Sequence, residues 1–329
     1  MLTVLIATYN GARTLAAALG AYCHIQAPKG GWKLVVVDNG STDATREIIH
    51  SFKDRLPLTY LFEPSRGKNV ALNTGLSSVE GDLISLTDDD ILPRSDWLQE
   101  LRLAADSHPS FSVFGGRVIP RWEVQPDEWL LSRVKVIMGM GAVYALTDPS
   151  WEEGPIDPGH VFGGNMAIRT RIFETGHRFD PRIGPRGQWY AMGSETDLTK
   201  RLSRGGFHSW HCKNAVVEHM IRKSQMTQEW ILSRALIFGR GMYRSDLQYQ
   251  HANSKKCWGI PSGLIMEAVK KGVGSVQAKL YGDRTKLFDR RWALNYLLGQ
   301  ATEAWLIHKV LRSDGAKRSS SHSESVVDY

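Results

Sequence analysis

Three consecutive carboxylates, Asp88, Asp89 and Asp90, follow the apolar run Leu83-Ile84-Ser85-Leu86-Thr87. Adjacent carboxylates repel one another, and a divalent cation placed between them and a phosphate relieves that repulsion. Mg²⁺ and Mn²⁺ suit such a place, because they take oxygen ligands and usually bind through one or two carboxylates plus substrate phosphates. Side chains alternate along a strand, so Asp88 and Asp90 are expected to project alike and Asp89 away from them. A solvated acidic turn before Pro93 is the plain alternative. The buried run directly before the cluster favours the chemical reading.

Other residues could join this chemistry. Asp38 ends a second apolar run, Lys33 to Val37. Its carboxylate can accept hydrogen bonds from a base ring or a ribose hydroxyl, or it can cap the next helix, a role that Ser41 and Asp43 also offer. Arg66, before Gly67-Lys68-Asn69, can reach a base carbonyl or a phosphate, or lie on the surface. Gly67-Lys68 is not a P-loop, because position 62 is Phe and not Gly. Glu195 and Asp197 stand near the start of a helical pattern, Met192 to Leu202, separated by about 200° around the axis, so both cannot face one ligand. Gly163-Gly164-Asn165 allows a close backbone approach or marks a strand bulge. His219 follows a strand-like run and is either a metal ligand or structural. His208, His211 and Cys212 have no second pair at zinc spacing.

The elements that must position these groups alternate. Strands are expected at Val4–Ala7, Lys33–Val37, Leu58–Phe62 and Asp82–Thr87, with helices at Ala12–Tyr22, after Asp43 to about Phe52, and at Arg66–Val79. That order predicts βαβ units and a mostly parallel sheet flanked by helices. Ligands bind beyond the carboxyl ends of such strands, where Thr8-Tyr9-Asn10, Asp38 and the three aspartates gather. A strand is expected at Phe111–Ile119, an amphipathic to apolar segment at Trp129–Leu146 with Met138 and Met140, and helices from Thr227 to Arg244 and from Pro261 onward. The expected organisation is a catalytic domain over 1–220, with a nucleotide-binding half (1–110) and an acceptor half (111–220). A helical extension (221–312) and a disordered Ser-rich tail (313–329) follow.

The 329 residues suffice for a large core without disulfides or a folding metal. The net charge of +7 suits a polyanionic partner. The basic residues are dispersed and no helix-turn-helix or zinc signature occurs, which argues against nucleic acid. Three scattered cysteines fit a reducing compartment. With no signal-peptide pattern and no bilayer-length apolar run, a cytoplasmic location is expected. A Rossmann dehydrogenase would need G-x-G-x-x-G after the first strand, and Tyr9-Asn10-Gly11-Ala12-Arg13 lacks it.

Four segments in order resemble glycosyltransferase family 2 with its GT-A fold: Val4 to Asn10, Val35 to Asp43, Arg66 to Gly75, and Leu86 to Asp90 as a D-x-D region. The resemblance covers about residues 1–210. It implies an inverting transferase that moves a sugar from a nucleotide-diphosphate donor, a UDP-sugar by default, to an acceptor hydroxyl in polysaccharide or glycolipid assembly. It implies that Thr8, Tyr9, Asn10, Asp38 and Arg66 hold the nucleoside, and that Asp88 and Asp90 hold the diphosphate, with Asp90 on Mn²⁺ or Mg²⁺. Asp89, Gly164 and Asn165 would lie toward the sugar, and His219 would complete the metal shell. The family's general base opens a later helix. Here Ser194 departs from its usual Glu, which leaves Glu195 favoured and Asp197 as the alternative. A non-catalytic nucleotide-sugar scaffold and a nucleotidyltransferase are the competing readings.

The acceptor is expected to be a saccharide or a lipid-linked saccharide. Lys270, Lys271, Lys279, Lys286, Arg290 and Arg291, beside Trp258, Leu264, Ile265, Leu287, Trp292 and Leu297, suggest peripheral contact with the inner face of the membrane through basic C-terminal helices. An amphipathic helix packed on its own domain is the plain alternative.

Overall fold

A computed structural model of the chain describes residues 1–133, 143–187 and 190–323. The expected Met138 and Met140 and the end of the expected tail, 324–329, lie outside the described residues. The chain divides into two compact units, Met1–Gln188 with Gly193–Thr227, and Trp189–Met192 with Gln228–Tyr329.

The first unit is built on a nine-stranded sheet. Its parallel half contains β1 (Leu2–Thr8), β2 (Trp32–Asp38), β3 (Leu58–Phe62) and β4 (Leu83–Thr87) in the order β3-β2-β1-β4. Helices α1 (Leu15–Tyr22), α2 (Thr45–His50) and α3 (Lys68–Gly75) connect these strands. After β4 the short β5 (Ile91–Pro93) leads into α4 (Trp97–Ser107). The sheet then continues through β8 (Met166–Arg169), β6 (Val113–Trp122) and β9 (Ser209–Ile221) to β5, while β7 (Gly154–Ile156) pairs with β9. Helices α5 (Glu128–Arg133), α6 (Arg171–Glu174) and α7 (Ser194–Arg204) complete this unit.

Buried apolar runs make the central strands. Leu5, Val35, Val37, Ile84 and Leu86 pack with Met166, Ile168, Leu198 and Leu202 in one core. Each such side chain contributes about 1.5–3 kcal/mol when fully buried. β4 pairs antiparallel with β8, so the sheet is mixed from that point on. Arg102 of α4 grips both Asp82 oxygens, at 2.8 and 2.9 Å, and so braces the residue just before β4.

The register places the polar ends together. Thr8 pairs with Asp38 and Asp38 with Phe62 across β1, β2 and β3. The antiparallel pairing of β5 with β9 sets Ile91 opposite His219, and the Met220 N–H donates to the Asp90 carbonyl at 2.9 Å.

The second unit is helical apart from a two-strand hairpin, β10 (Lys256–Cys257) with β11 (Ile260–Pro261). Its helices are α8 (Gln228–Met242), the one-turn α9 (Gln248–Gln250), α10 (Ser262–Leu280) and α11 (Arg284–Ser323). A π-helical turn, Tyr243–Leu247, lies between α8 and α9. Arg240 and Arg244 both pair with the fully buried Glu303, which ties α8 and the turn after it to α11. Leu264, Trp292 and Leu297, expected on a lipid-facing surface, are instead buried in this unit. No described helix is long and apolar enough to cross a membrane.

Candidate active site

β4 ends at Thr87, and Asp88, Asp89 and Asp90 turn away from the sheet before β5 begins. The alternation expected of a strand therefore does not apply, and the three carboxylates diverge. Asp88 meets the Lys68 ammonium, Asp89 accepts from the Thr8 hydroxyl, and Asp90 faces the His219 ring. Gly11 is required beside the second pair, because a Cβ there would lie 2.4 Å from Thr8 Oγ1 and 2.5 Å from Asp89 Oδ2.

Lys68, the first residue of α3, bridges two segments. Its Nζ contacts Asp88 and lies 2.6 Å from Glu195 Oε1 on α7. Asn69 and Asn73 of the same helix hydrogen-bond the carbonyls of Asp180 and Phe179, at 2.7 and 2.9 Å, which anchors α3 to the loop before α7. Glu195 lies one turn before Leu198 on the same helical stripe, and buried Leu198 and Leu202 aim that stripe inward. Gly163 makes room for it, since a Cβ there would come within 2.2 Å of Glu195 Cδ. Asp197 points elsewhere. It pairs with Arg201 at 2.8 Å, and Arg201 also donates to the Arg178 carbonyl at 2.8 Å.

His219 Nδ1 donates to the Tyr144 carbonyl at 2.7 Å, and its Nε2 lies 3.4 Å from Asp90 Oδ2. Such an arrangement, with one ring nitrogen oriented by a carbonyl and the other turned to a carboxylate, is common for metal-ligating histidines. Burial alone would lower the His219 pKa, but the charge and hydrogen bond of Asp90 outweigh it and raise it. Burial would raise the Asp90 carboxyl, but His219 beside it holds it below the usual range. Asp89 is pushed up to about 7 by burial and by the charge of Asp90, despite its bond from Thr8. Asp88 is also raised, chiefly by burial, with Lys68 opposing and Glu195 and Asp90 adding. The cluster thus carries more carboxylate than its two basic groups offset.

At the ends of β1 and β2, Asp38 is buried, with Oδ1 accepting from the Ser41 N–H at 2.9 Å and Oδ2 from the Tyr60 hydroxyl at 3.2 Å. Asn10 is a structural pivot in a left-handed conformation (φ 51°), and its carboxamide oxygen accepts from the Thr42 N–H at 2.8 Å. Exposed Tyr9 lies under the Arg66 guanidinium, 4.0 Å from the ring centroid. Asn39 secures the loop that carries Arg66, accepting from the Gly67 N–H and donating to the Ser65 carbonyl, both at 2.7 Å.

One expected site residue is placed differently. Asn165 is fully buried and its carboxamide is consumed internally, accepting from Trp97 at 2.8 Å and donating to the carbonyls of Arg117 and Ala215 at 3.0 and 2.8 Å. It braces the sheet and does not open onto the cluster. Gly163–Asn165 form a 3₁₀ turn, not a strand bulge, and the Gly164 carbonyl accepts from the Thr87 hydroxyl at 2.9 Å.

Residues 3–175 match the protein family described as Glycosyl transferase family 2, which is more than half of the chain. This chain belongs to glycosyl transferase family 2. Validoxylamine A glucosyltransferase of Streptomyces hygroscopicus subsp. jinggangensis is 34% identical over 112 residues, which are 33% of this chain and 26% of that protein. The chain thus spans about a quarter of the length of that relative. The mannosyltransferase PcManGT from Pyrobaculum calidifontis, solved with GDP-Man and Mn²⁺, aligns with a TM-score of 0.53 at 18% identity, covering 96% of this chain and 79% of that one. TarS 1-349 of S. aureus in complex with UDP-GlcNAc aligns at 0.52 and 14% identity, covering 89% and 90%. At these identities the likeness establishes the fold, a GT-A type α/β sheet followed by a helical C-terminal region.

Lys68 is the residue of this family 2 chain that sequence reasoning passed over. Its signal was present in Arg66-Gly67-Lys68-Asn69, a cation at a helix start near a strand-end cluster, but nothing local named its two partners. Among the described residues no group of three or more His, Cys, Asp or Glu converges tightly enough to hold a metal alone. Asp90 and His219 offer two converging donors, and substrate oxygens would have to complete the shell. Mg²⁺ and Mn²⁺ are bound in that way in phosphate-handling sites.

Proposed function

We propose that the chain is an inverting glycosyltransferase that moves a sugar from a nucleoside-diphosphate donor, a UDP-sugar by default, to a hydroxyl of a saccharide or lipid-linked saccharide. The observation that carries this reading is the meeting of Asp88, Asp90–His219 and Lys68–Glu195 at the carboxyl end of β4. Membership of the family supports the reaction class. The ligands of the structural neighbours, UDP-GlcNAc and GDP-Man with Mn²⁺, are compatible with a nucleotide-sugar donor and a divalent ion.

In this reading Arg66 and Tyr9 edge the nucleoside site and Asp38 offers a carboxylate to the ribose or base. Asp90 and His219 would hold Mn²⁺ or Mg²⁺ together with diphosphate oxygens, with Asp88 beside them. The ion, when bound, would offset charge developing on the departing diphosphate. Glu195 is the general base. It takes the acceptor proton as the acceptor oxygen attacks the anomeric carbon and the bond to the diphosphate oxygen breaks, and attack from the opposite face inverts that carbon. A positioned base of this kind is worth about 10²–10⁴-fold. Lys68 holds Glu195 and Asp88 in register and is placed to turn to donor phosphate. A lipid-linked acceptor would put the enzyme at the cytoplasmic face of the membrane.

The test is nucleoside diphosphate release over a panel of nucleotide sugars and acceptors with Mn²⁺. Glu195→Gln should abolish transfer and keep the donor-induced rise in Tm. Release of pyrophosphate instead would establish a nucleotidyltransferase. Donor binding without turnover in the wild type would establish a scaffold.

A further inference from the structure

α10 carries an exposed apolar stripe. Met266, Val269, Val273, Val276 and Leu280 recur at spacings of three and four, so they share one helical face, and all five are exposed. The opposite face, with Leu264, Gly274, Ser275 and Ala278, is the buried one. Two aromatic side chains near the helix are also exposed, Trp258 in the hairpin before α10 and Tyr281 just after it, at 80% and 86%. Isolated exposed apolar residues are ordinary, but a continuous row of five along one helical face is an interaction surface.

The charge around the stripe is one-sided. Residues 253–291 hold nine Lys or Arg against three Asp or Glu. Lys270 lies on one flank of the stripe and Lys279 on the other, as the helical period dictates. Beside Met266 a pocket of about 450 Å³ is lined by Gly263, Glu267, Lys270, Lys271 and Arg290. Arg290 reaches it from α11 across Gly274, where a Cβ would sit 2.7 Å from its guanidinium. Lys271 falls on the buried face by the helical period, which leaves Lys270 and Arg290 to meet a phosphate group. A second copy of the same helix would set lysine flanks against lysine flanks, which disfavours self-pairing.

We infer that α10 lies in the surface of an anionic membrane, with Met266, Val269, Val273, Val276 and Leu280 among the acyl chains, Trp258 and Tyr281 at the headgroup level, and Lys270 and Arg290 on a lipid phosphate. A helix with an apolar face and flanking cations binds a bilayer in this way, and each added cation near an anionic surface is worth about fivefold. The inference extends the lipid-linked acceptor reading but uses no residue of the candidate active site.

The experiment is flotation of the full chain with mixed phosphatidylcholine/phosphatidylglycerol vesicles and with phosphatidylcholine alone. Association with the anionic vesicles only is expected, weakened by salt. Val269→Asp with Val273→Asp should abolish it, and Lys270→Glu should reduce it about fivefold or more. Both variants change exposed positions, so Tm and nucleoside diphosphate release with a water-soluble acceptor should be unchanged. If the wild type does not float, or if both variants float as it does, the inference is wrong. A dimer in sedimentation that the double substitution dissolves would assign the stripe to a second copy and overturn it. Flotation by a protein that never turns over a donor would leave the membrane surface standing and reject the transferase reading alone.

Discussion

Lys68 Nζ lies 2.6 Å from Glu195 Oε1 while also bonded to Asp88, so a single ammonium joins the carboxylate after β4 to the one that opens α7. Burial alone would lower the Lys68 pKa, but the two carboxylates raise it well above its ordinary value. The cation therefore stays charged across the working pH range.

Replacing Lys68 with Met leaves Asp88 and Glu195 facing each other without their shared partner. Breaking such a partly buried set is expected to cut kcat by about tenfold or more, with Lys68→Arg recovering part of it. Steady-state kinetics of the two variants side by side check this. Equal loss in both would show that the geometry of the ammonium, and not its charge, is what matters.

Gly163→Ala puts a methyl group within 2.2 Å of Glu195 Cδ. The carboxylate must move, and misplacing a catalytic group by about 1 Å can cost 10²-fold in rate. Turnover should fall by that order while the donor still raises Tm. Retained activity would remove Glu195 from the reaction.

Asp90→Asn and His219→Ala each remove one of the two converging donors. The Mn²⁺ concentration for half-maximal activity is expected to rise about 10–100-fold in either variant, as it does when a metal site loses a supporting group. Mn²⁺ titration by calorimetry in the presence of nucleoside diphosphate gives a readout independent of turnover. An unchanged affinity in both would move the ion elsewhere.

Asp82 braces the start of β4 through Arg102. Burial works against its carboxylate form, but the bonds and charge of Arg102 prevail and depress its pKa. The contribution to stability is therefore present above the unfolded value of about 3.9 and lost as pH falls through the lower folded value. Asp82 is more than half exposed, so solvent screening keeps the pair within about 1 kcal/mol. Asp82→Asn should lower Tm at neutral pH, with the difference from wild type vanishing in acid. A gap that persists at low pH would trace the loss to packing instead.

Much of the site's frame was legible in the sequence. Buried runs at Val35–Val37 and Leu83–Thr87 can only be interior strands in an alternating chain, and parallel strands gather their following residues at one edge. That reasoning brought Thr8, Asp38 and Asp88–Asp90 together. Its reach ends where the element ends: strand alternation stops at Thr87, so the partners of the three aspartates are set by the turn after it and not by the strand period. It failed at Asn165, whose polar side chain serves the buried backbone and not a ligand.

The amino-acid sequence by itself determined the family, the order of strands and helices, and the clustering of carboxylates at a strand end, because these depend on residue type and short-range period. Tertiary structure decided which of those groups meet. The β5–β9 register brings His219 to Asp90, and α7 packing turns Glu195 to Lys68 while Asp197 is taken up by Arg201. It also decided which face of α10 is exposed, burying Leu264 and leaving Val269 and Val273 in solvent. Such choices rest on contacts between residues far apart in the chain, and no local propensity encodes them.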